Sequence, residues 1–154
     1  KPFRVCVNIS PLQFNQRNLP EWVAGFLERS GLPPERLELE LTESAIMNDA
    51  ETNIAKLREL KALGVDLAVD DFGTGYSSLS YLKRFPIDTL KIDQSFISDL
   101  DTTDGAAIVD AIVALAKTLK MRVIAEGIEN EHHLSYLVEK GCDLLQGFYF
   151  ARPL

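Results

Sequence analysis

The stretch Val69-Asp70-Asp71-Phe72-Gly73-Thr74-Gly75-Tyr76-Ser77-Ser78-Leu79 joins a predicted strand to a loop that contains two glycines. The strand, residues 65–69, is short, apolar and rich in β-branched side chains, which predicts that it is buried. Two adjacent carboxylates at its end repel each other unless a cation, a proton or a basic group lies between them. The glycines let a ligand approach the backbone closely. An Asp-Asp pair could instead cap a helix. The residues at the ends of the other predicted strands are therefore needed to distinguish a helix cap from a binding site.

Predicted strands and helices alternate along the chain. The strands cover residues 4–10, 37–41, 65–69, 89–93, 122–125 and 143–147. The helices, identified by apolar periodicity and stopping glycines, cover residues 21–30, 50–63, 77–83, 105–119 and 131–140. Strict alternation predicts a parallel sheet with helical crossovers.

The sheet is either doubly wound or part of a barrel. A dinucleotide-binding turn needs a third glycine after the Gly-x-Gly of residues 73–75, and this chain lacks it. Instead, every predicted strand ends in a polar side chain: Asn8, Glu40, Asp70, Lys91, Glu126 and Gln146. Because barrel strands bring their carboxyl ends to one centre, we predict an α/β fold of the (β/α)8 TIM-barrel type, incomplete, with about six of the eight strands.

Composition excludes some classes of function. A net charge of −7 argues against binding of a nucleic-acid polymer. The chain has neither an apolar run of membrane-spanning length nor a signal peptide at its start, which predicts a cytoplasmic location, either free or as the cytoplasmic part of a membrane-anchored protein. Cys6 and Cys142 are predicted to be buried thiols, and His132 and His133 to lie on a solvated surface.

Alternate residues of a strand face opposite sides of the sheet. Counting in steps of two places one set of side chains on faces that would meet at the top of the barrel: Asn8, Glu40, Asp70, Lys91 and Glu126, with Asp71 at the rim. Oxygen donors of this kind suit Mg²⁺ or Mn²⁺, and several carboxylates can hold two such ions for attack of water on a phosphodiester. Any single carboxylate could instead be hydrogen-bonded to backbone. Below this set, Arg4 and Glu38 are predicted to pair, because a buried charge needs a counter-charge.

Six motifs resemble the EAL domain family of cyclic-di-GMP-specific phosphodiesterases, which fold as modified (β/α)8 barrels. The motifs are residues 7–10 (VNIS), 40–44 (ELTES), 70–79 (DDFGTGYSSL), 91–93 (KID), 126–129 (EGIE) and 146–148 (QGF). The resemblance runs the full length of the chain. The segment at residues 70–79 is its most specific part.

The resemblance implies a role for each matching residue. Asn8, Glu40, Asp70 and Asp71 are similar to metal ligands, with Asp70 bridging two Mg²⁺ or Mn²⁺ ions, and Glu126 is similar to a further acidic residue at the metals. Lys91 resembles the catalytic lysine, and Gln146 a residue that positions water or substrate. Glu43 resembles the glutamate that anchors the glycine loop, while Asp93 and Glu129 are expected to lie near the substrate.

One departure from the family pattern is the absence of the signature Glu-Ala-Leu strand, and of the arginine that grips the substrate, upstream of Asn8. We therefore expect residues 1–154 to be the C-terminal two-thirds of one EAL domain, without a second domain. Alone, this chain should be either associated, as a homodimer, or poorly soluble, and it should be essentially inactive. In the parent protein it should be fused to, or regulated by, signalling domains such as GGDEF or PAS.

Three functions remain open at this stage. The first is hydrolysis of cyclic di-GMP to linear pGpG by a two-metal mechanism. The second is a receptor that binds cyclic di-GMP without hydrolysis and signals through a partner domain. The third is an unrelated metal-dependent barrel enzyme.

Overall fold

The computed structural model describes residues 3–75 and 79–152. Within these residues, strands and helices alternate as the sequence predicts. The strands are β1 (Val5–Ile9), β2 (Leu37–Thr42), β3 (Asp66–Phe72), β4 (Thr89–Ile92), β5 (Arg122–Ala125) and β6 (Leu144–Leu145). The helices are α1 (Pro11–Phe14), α2 (Leu19–Ser30), α3 (Glu43–Met47), α4 (Ala50–Ala62), α5 (Leu79–Leu82), α6 (Gln94–Ser98), α7 (Thr103–Thr118) and α8 (Glu131–Lys140), with a 3₁₀ turn at Pro34–Arg36.

The strands form one sheet in the order β1-β2-β3-β4-β5-β6. The pairs β1–β2, β4–β5 and β5–β6 are parallel. A sheet whose spatial order equals its sequence order is typical of a (β/α) barrel, whereas a doubly wound sheet reverses its order at a switch point. The structure thus confirms an incomplete (β/α)8-type fold.

Two compact units make up the chain: Lys1–Val69 with Gly75–Asp88, and Asp70–Thr74 with Thr89–Leu154. In the first unit, β2 is buried from Leu37 to Leu41, and the α2 and α4 helices bury apolar faces that include Val23 and Leu57. These faces form because apolar residues recur at helical spacing. The core of this unit also contains Phe14, which is fully buried.

Buried β4 and β5 form the centre of the second unit, covered by α7 through Val109 and Val113. Thr102 caps α7 by accepting a hydrogen bond from the N–H of Gly105. Asn130 caps α8 in the same manner, and α8 ends at Gly141 in the left-handed conformation. No helix among the described residues is long and apolar enough to cross a membrane.

Arg4 pairs with Glu38, as predicted: the distance from Arg4 Nη1 to Glu38 Oε2 is 2.9 Å, and Glu38 is 2% exposed. Arg4 also binds Asp66. Lys61 lies 2.8 Å from Asp88 and 3.6 Å from Asp66. These contacts connect β1, β2, β3 and α4 through charges that are at least partly removed from water, so each carboxylate has a counter-charge.

Three short helices form where the sequence predicts loops. The helices α1, α3 and α6 follow β1, β2 and β4, and each is four or five residues long. A helix of one turn is too short to show apolar periodicity in the sequence, so local capping determines whether it forms. Ser10 and Gln13 form a capping box at α1, and Asp93 caps α6. The strand predicted at residues 143–147 is shorter, so Gln146 lies beyond β6. For the helix predicted at 77–83, residues 77 and 78 lie outside the described residues.

Two predictions of burial are wrong, and a third is met in part, since Cys142 is half-buried. Cys6 is exposed, because β1 is the first strand of the described sheet and has a neighbour on one side only. His133 is 4% exposed, whereas the neighbouring His132 faces solvent. The reason is helical geometry: His133 lies one turn before Leu137, which is fully buried on the same face of α8.

Candidate active site

In the first unit, Asn8 and Glu40 lie opposite each other in the parallel register of β1 and β2. Glu40 is buried and Asn8 is exposed. The register also pairs Cys6 with Glu38, and the ligand atoms of Cys6, Glu38 and Glu40 lie within 4.8 Å of one another. Although Cys6 is exposed as a residue, partial desolvation of its sulfur, reinforced by Glu38 and Glu40, raises the pKa of the thiol to about 11. The thiol is therefore protonated at neutral pH. The metal donors on this part of β1 and β2 are the side-chain oxygen atoms of Asn8, Glu38 and Glu40.

Glu43 begins α3 directly after β2 and is 2% exposed. Its carboxylate lies against the glycine loop, since a Cβ added at Gly75 would come 3.5 Å from Glu43 Oε1. Glu43 therefore lies beside Gly75, and its role as an anchor of the loop stays a prediction. Tyr76, Ser77 and Ser78, which continue the loop, lie outside the described residues.

In the second unit, Lys91 connects the ends of three strands. Its Nζ lies 2.7 Å from Glu126 Oε1 and 3.1 Å from Asp70 Oδ1, and the side chain is 6% exposed. A buried ammonium is stable only with such partners. Strands β3, β4 and β5 thus bring together three residues that sequence analysis selected independently.

Asp71 and Asp93 form a second carboxylate pair in this unit. Burial, with the neighbouring charges of Asp70 and Asp93, raises the pKa of Asp71. Partial burial opposes ionisation of Asp93, but hydrogen bonds from Ser95 and from Asp71 hold the pKa of Asp93 below its usual value. The Asp71 backbone has a φ of 53°, in the left-handed region. Two carboxylates with opposite shifts favour a proton or a cation between them.

The loops after β5 and β6 form a cleft of about 150 Å³, lined by Gln94, Glu126, Gly127, Glu129, Gln146, Gly147 and Phe148. Glu129 and Gln146 are exposed, so both are available to a ligand. The cleft therefore brings together the predicted residues Glu126, Glu129 and Gln146.

Gln94 and Phe148 were given no role by sequence analysis, although both lie next to or within the motifs at residues 91–93 and 146–148. A single amide or phenyl side chain carries no chemical signal of its own in a sequence, so adjacency to motif residues was the available indication for these two residues. Within the described residues, the predicted site residues fall into two groups. Asn8, Glu40 and Glu43 belong to the first unit, and Asp70, Asp71, Lys91, Asp93, Glu126, Glu129 and Gln146 to the second.

Comparison with known proteins shows similarity along the whole chain. The EAL domain family model matches residues 1–153. The chain is 48% identical over 153 residues to the bifunctional diguanylate cyclase/cyclic di-GMP phosphodiesterase MucR of Pseudomonas aeruginosa, covering 99% of this chain and 22% of MucR. It is 45% identical over 152 residues to the cyclic di-GMP phosphodiesterase NbdA of the same organism, covering 98% of this chain and 19% of NbdA. The chain thus spans about a fifth of these curated relatives.

Solved structures give the same result. The structure of the MucR phosphodiesterase in complex with c-di-GMP superposes with a TM-score of 0.95 at 49% identity, over 98% of this chain and 62% of that one. The manganese/cy-diGMP complex of BlrP1 from Klebsiella pneumoniae has a TM-score of 0.87 at 33% identity, over 97% of this chain and 39% of that one.

Proposed function

Because the chain belongs to the EAL domain family, we propose that it is the C-terminal part of a metal-dependent phosphodiesterase that hydrolyses cyclic di-GMP to linear pGpG. The observation that carries this proposal is the buried position of Lys91 between Asp70 and Glu126. Arg4 and Lys61 also contact two carboxylates each, but Lys91 and its partners lie at the carboxyl ends of their strands. Barrels of the (β/α)8 type place their catalytic residues at these strand ends.

The proposed ligands of two Mg²⁺ or Mn²⁺ ions are Asn8, Glu40, Asp70, Asp71 and Glu126. Their chemistry fits these ions, because all five offer oxygen atoms. The raised pKa of Asp71 also fits, since crowded carboxylates gain from a nearby cation. When bound, the ions would lower the pKa of water and offset the charge of the phosphodiester.

The remaining residues have proposed roles in positioning and charge stabilisation. The Lys91 ammonium would stabilise negative charge that develops on the reacting oxygens. The Gln146 amide would orient water or substrate, and Asp93 and Glu129 would contact the substrate. Glu43 would hold the glycine loop through its contact beside Gly75.

The experiment compares the 154-residue chain with a chimera in which the MucR residues that directly precede the segment matched by this chain are placed before residue 1. Both are incubated with Mn²⁺ and cyclic di-GMP, and pGpG is quantified by chromatography. We expect the chimera to produce pGpG and the chain alone to be essentially inactive. A chimera that binds cyclic di-GMP in the presence of Mn²⁺ without producing pGpG would show a receptor instead of a hydrolase.

Lys91→Met in the chimera should reduce turnover by about 10²-fold or more, the usual loss when a charge-stabilising group is removed. The matched control is Lys120→Met, which changes an exposed lysine of the same unit. Equal turnover in the Lys91 variant and the control would contradict the proposed role.

A further inference from the structure

The helical turn α1, which follows β1, is held together by its own hydrogen bonds. Ser10 Oγ accepts from the N–H of Gln13 at 3.2 Å, and the Gln13 side chain accepts from the N–H of Ser10 at 2.9 Å. The N–H of Phe14, the last residue of α1, donates to the carbonyl of Ser10 at 2.9 Å. A displacement of Phe14 is therefore transmitted to Ser10, which lies two residues after Asn8.

Helix α4 contacts this turn through Lys56. The Lys56 Nζ donates to the carbonyl of Phe14 at 2.6 Å and lies 5.0 Å from the centroid of the Phe14 ring. Burial anchors the Phe14 ring, and the bond to the carbonyl fixes the backbone. A cleft of about 530 Å³ lies between α4 and the residues after α1, lined in part by Asn15, Arg17 and Lys56. Lys56 therefore bridges a gap between these two segments.

The same helix is also tied to the segment that follows β2. Asn53 is 5% exposed and lies one turn before Lys56. Its side-chain amide donates to three carbonyls of residues 45–48, at distances of 2.7 to 3.2 Å. Asn53 and Lys56 thus connect the segments that follow β2 and β1. These are the two strands that carry Glu40 and Asn8 opposite each other.

The position of Asn8 depends on the segment that follows it. The pairing of β1 with β2 ends one residue after Asn8, at Ile9 and Leu41. Asn8 is also exposed, so packing contributes little to the orientation of its side chain. The anchored turn α1 therefore helps to determine where the Asn8 amide lies relative to the Glu40 carboxylate.

We propose that Lys56 is a positioning residue of the metal site, which holds α1 and, through it, the Asn8 side chain in place for metal binding together with Glu40. This proposal rests on the proposed function, in which Asn8 and Glu40 are metal ligands. Lys56 contacts neither metal nor substrate and acts through Asn8. Removal of a side chain that orients a metal ligand typically weakens metal binding by about 10- to 100-fold.

The experiment measures binding of Mn²⁺ to the 154-residue chain by electron paramagnetic resonance, which reports the free ion. Lys56→Met keeps the apolar stem of the side chain but removes the donor, and should weaken Mn²⁺ binding by about tenfold. Lys56→Arg retains a charged N–H donor and should restore most of that affinity. The control is Arg58→Met, which changes an exposed residue of the same helix and should leave Mn²⁺ binding unchanged.

A double-mutant cycle with Asn8→Ala separates positioning from a general effect on the fold. Asn8→Ala alone should weaken Mn²⁺ binding, because it removes a proposed ligand. In the Asn8→Ala background, Lys56→Met should cause no further loss, because Lys56 acts through Asn8. A merely structural role would lower the affinity equally in both backgrounds. Circular dichroism verifies that each variant is folded.

Unchanged Mn²⁺ binding in Lys56→Met, or an equal loss with and without Asn8, would overturn the positioning role. Neither result bears on hydrolysis by the chimera. Conversely, coupled losses as expected, together with a chimera that forms no pGpG, would support the positioning role and refute the phosphodiesterase. An unsubstituted chain that binds no Mn²⁺ would overturn both the proposed ligands and the role of Lys56.

Discussion

Lys91 and Glu126 form an ion pair with a distance of 2.7 Å between Nζ and Oε1, across the neighbouring strands β4 and β5. Lys91 keeps a second partner in Asp70 at 3.1 Å. Removal of Glu126 therefore leaves the ammonium paired. A substitution of Glu126 can therefore test its proposed role at the metal site with only a small effect on stability.

Glu126→Gln in the chimera should reduce pGpG formation by about 10²-fold or more, while the free energy of unfolding in urea changes by about 1 kcal/mol. Glu139→Gln, at an exposed position of α8, is the control and should change neither quantity. A large loss of stability with unchanged turnover would assign Glu126 a structural role only.

Arg4→Met should destabilise the chain, because it removes a counter-charge of the buried Glu38 carboxylate. Complete burial of the pair would predict a cost of about 3–5 kcal/mol, but Arg4 is 33% exposed, so we expect about half of that. The double variant Arg4→Met/Glu38→Gln should recover most of the loss in urea denaturation. If the double variant is less stable than Arg4→Met alone, the pair does not couple as the structure indicates.

Gly127→Ala tests the close contact with Gln94. The left-handed φ of +75° costs an alanine about 1–2 kcal/mol. Because the new Cβ would also lie 2.6 Å from Gln94 Cβ, the free energy of unfolding should fall by more than that amount. The matched control is Gly31→Ala, at a φ of +66° with nothing within 4 Å. Equal losses of unfolding free energy in the two variants would refute tight packing at Gly127.

Asp110 should make stability depend on pH. It accepts hydrogen bonds from Lys140 at 2.7 Å and Tyr136 at 2.8 Å, and chiefly the Lys140 contact lowers the pKa of Asp110 from its ordinary value of 3.8. A lowered folded-state pKa stabilises the fold above the unfolded-state value, and this contribution is lost as the pH falls through the folded-state value.

Asp110→Asn should therefore lower the melting temperature at neutral pH, and its difference from the unsubstituted chain should shrink as the pH falls below about 4. Glu139→Gln serves again as the control, because it changes an exposed carboxylate on the helix that carries Tyr136 and Lys140. A difference in melting temperature that is constant from neutral to acidic pH would contradict the assigned pKa shift.

Glu43→Gln should impair turnover of the chimera more than folding. The buried carboxylate beside Gly75 becomes a neutral amide of the same shape, so packing is retained while the interaction with the glycine loop weakens. Turnover and melting temperature are measured together. An unchanged rate with a large fall in melting temperature would show that Glu43 acts on the fold and not on the loop.

Local sequence determined the elements that are long enough to show a pattern. The helix at residues 131–140 and the strand at 122–125 have the predicted bounds, because their apolar spacing and the stop at Gly141 act within a few residues. The candidate site residues could also be named from the sequence, since they lie at the ends of predicted strands or in the motifs that follow them. The sequence pattern did not predict single-turn helices such as α6, because a helix of one turn depends on its cap and is too short to show apolar periodicity.

Tertiary structure decided which of these residues touch. The sequence selected Asp70, Lys91 and Glu126 separately, but the register of neighbouring strands places both carboxylates on one ammonium. Likewise, the approach of Gly127 to Gln94 depends on how the segments after β4 and β5 pack together. The burial of His133 depends on which face of α8 meets the core. Such contacts join residues far apart in the chain, so they are determined by the packing of whole elements, which local patterns do not contain.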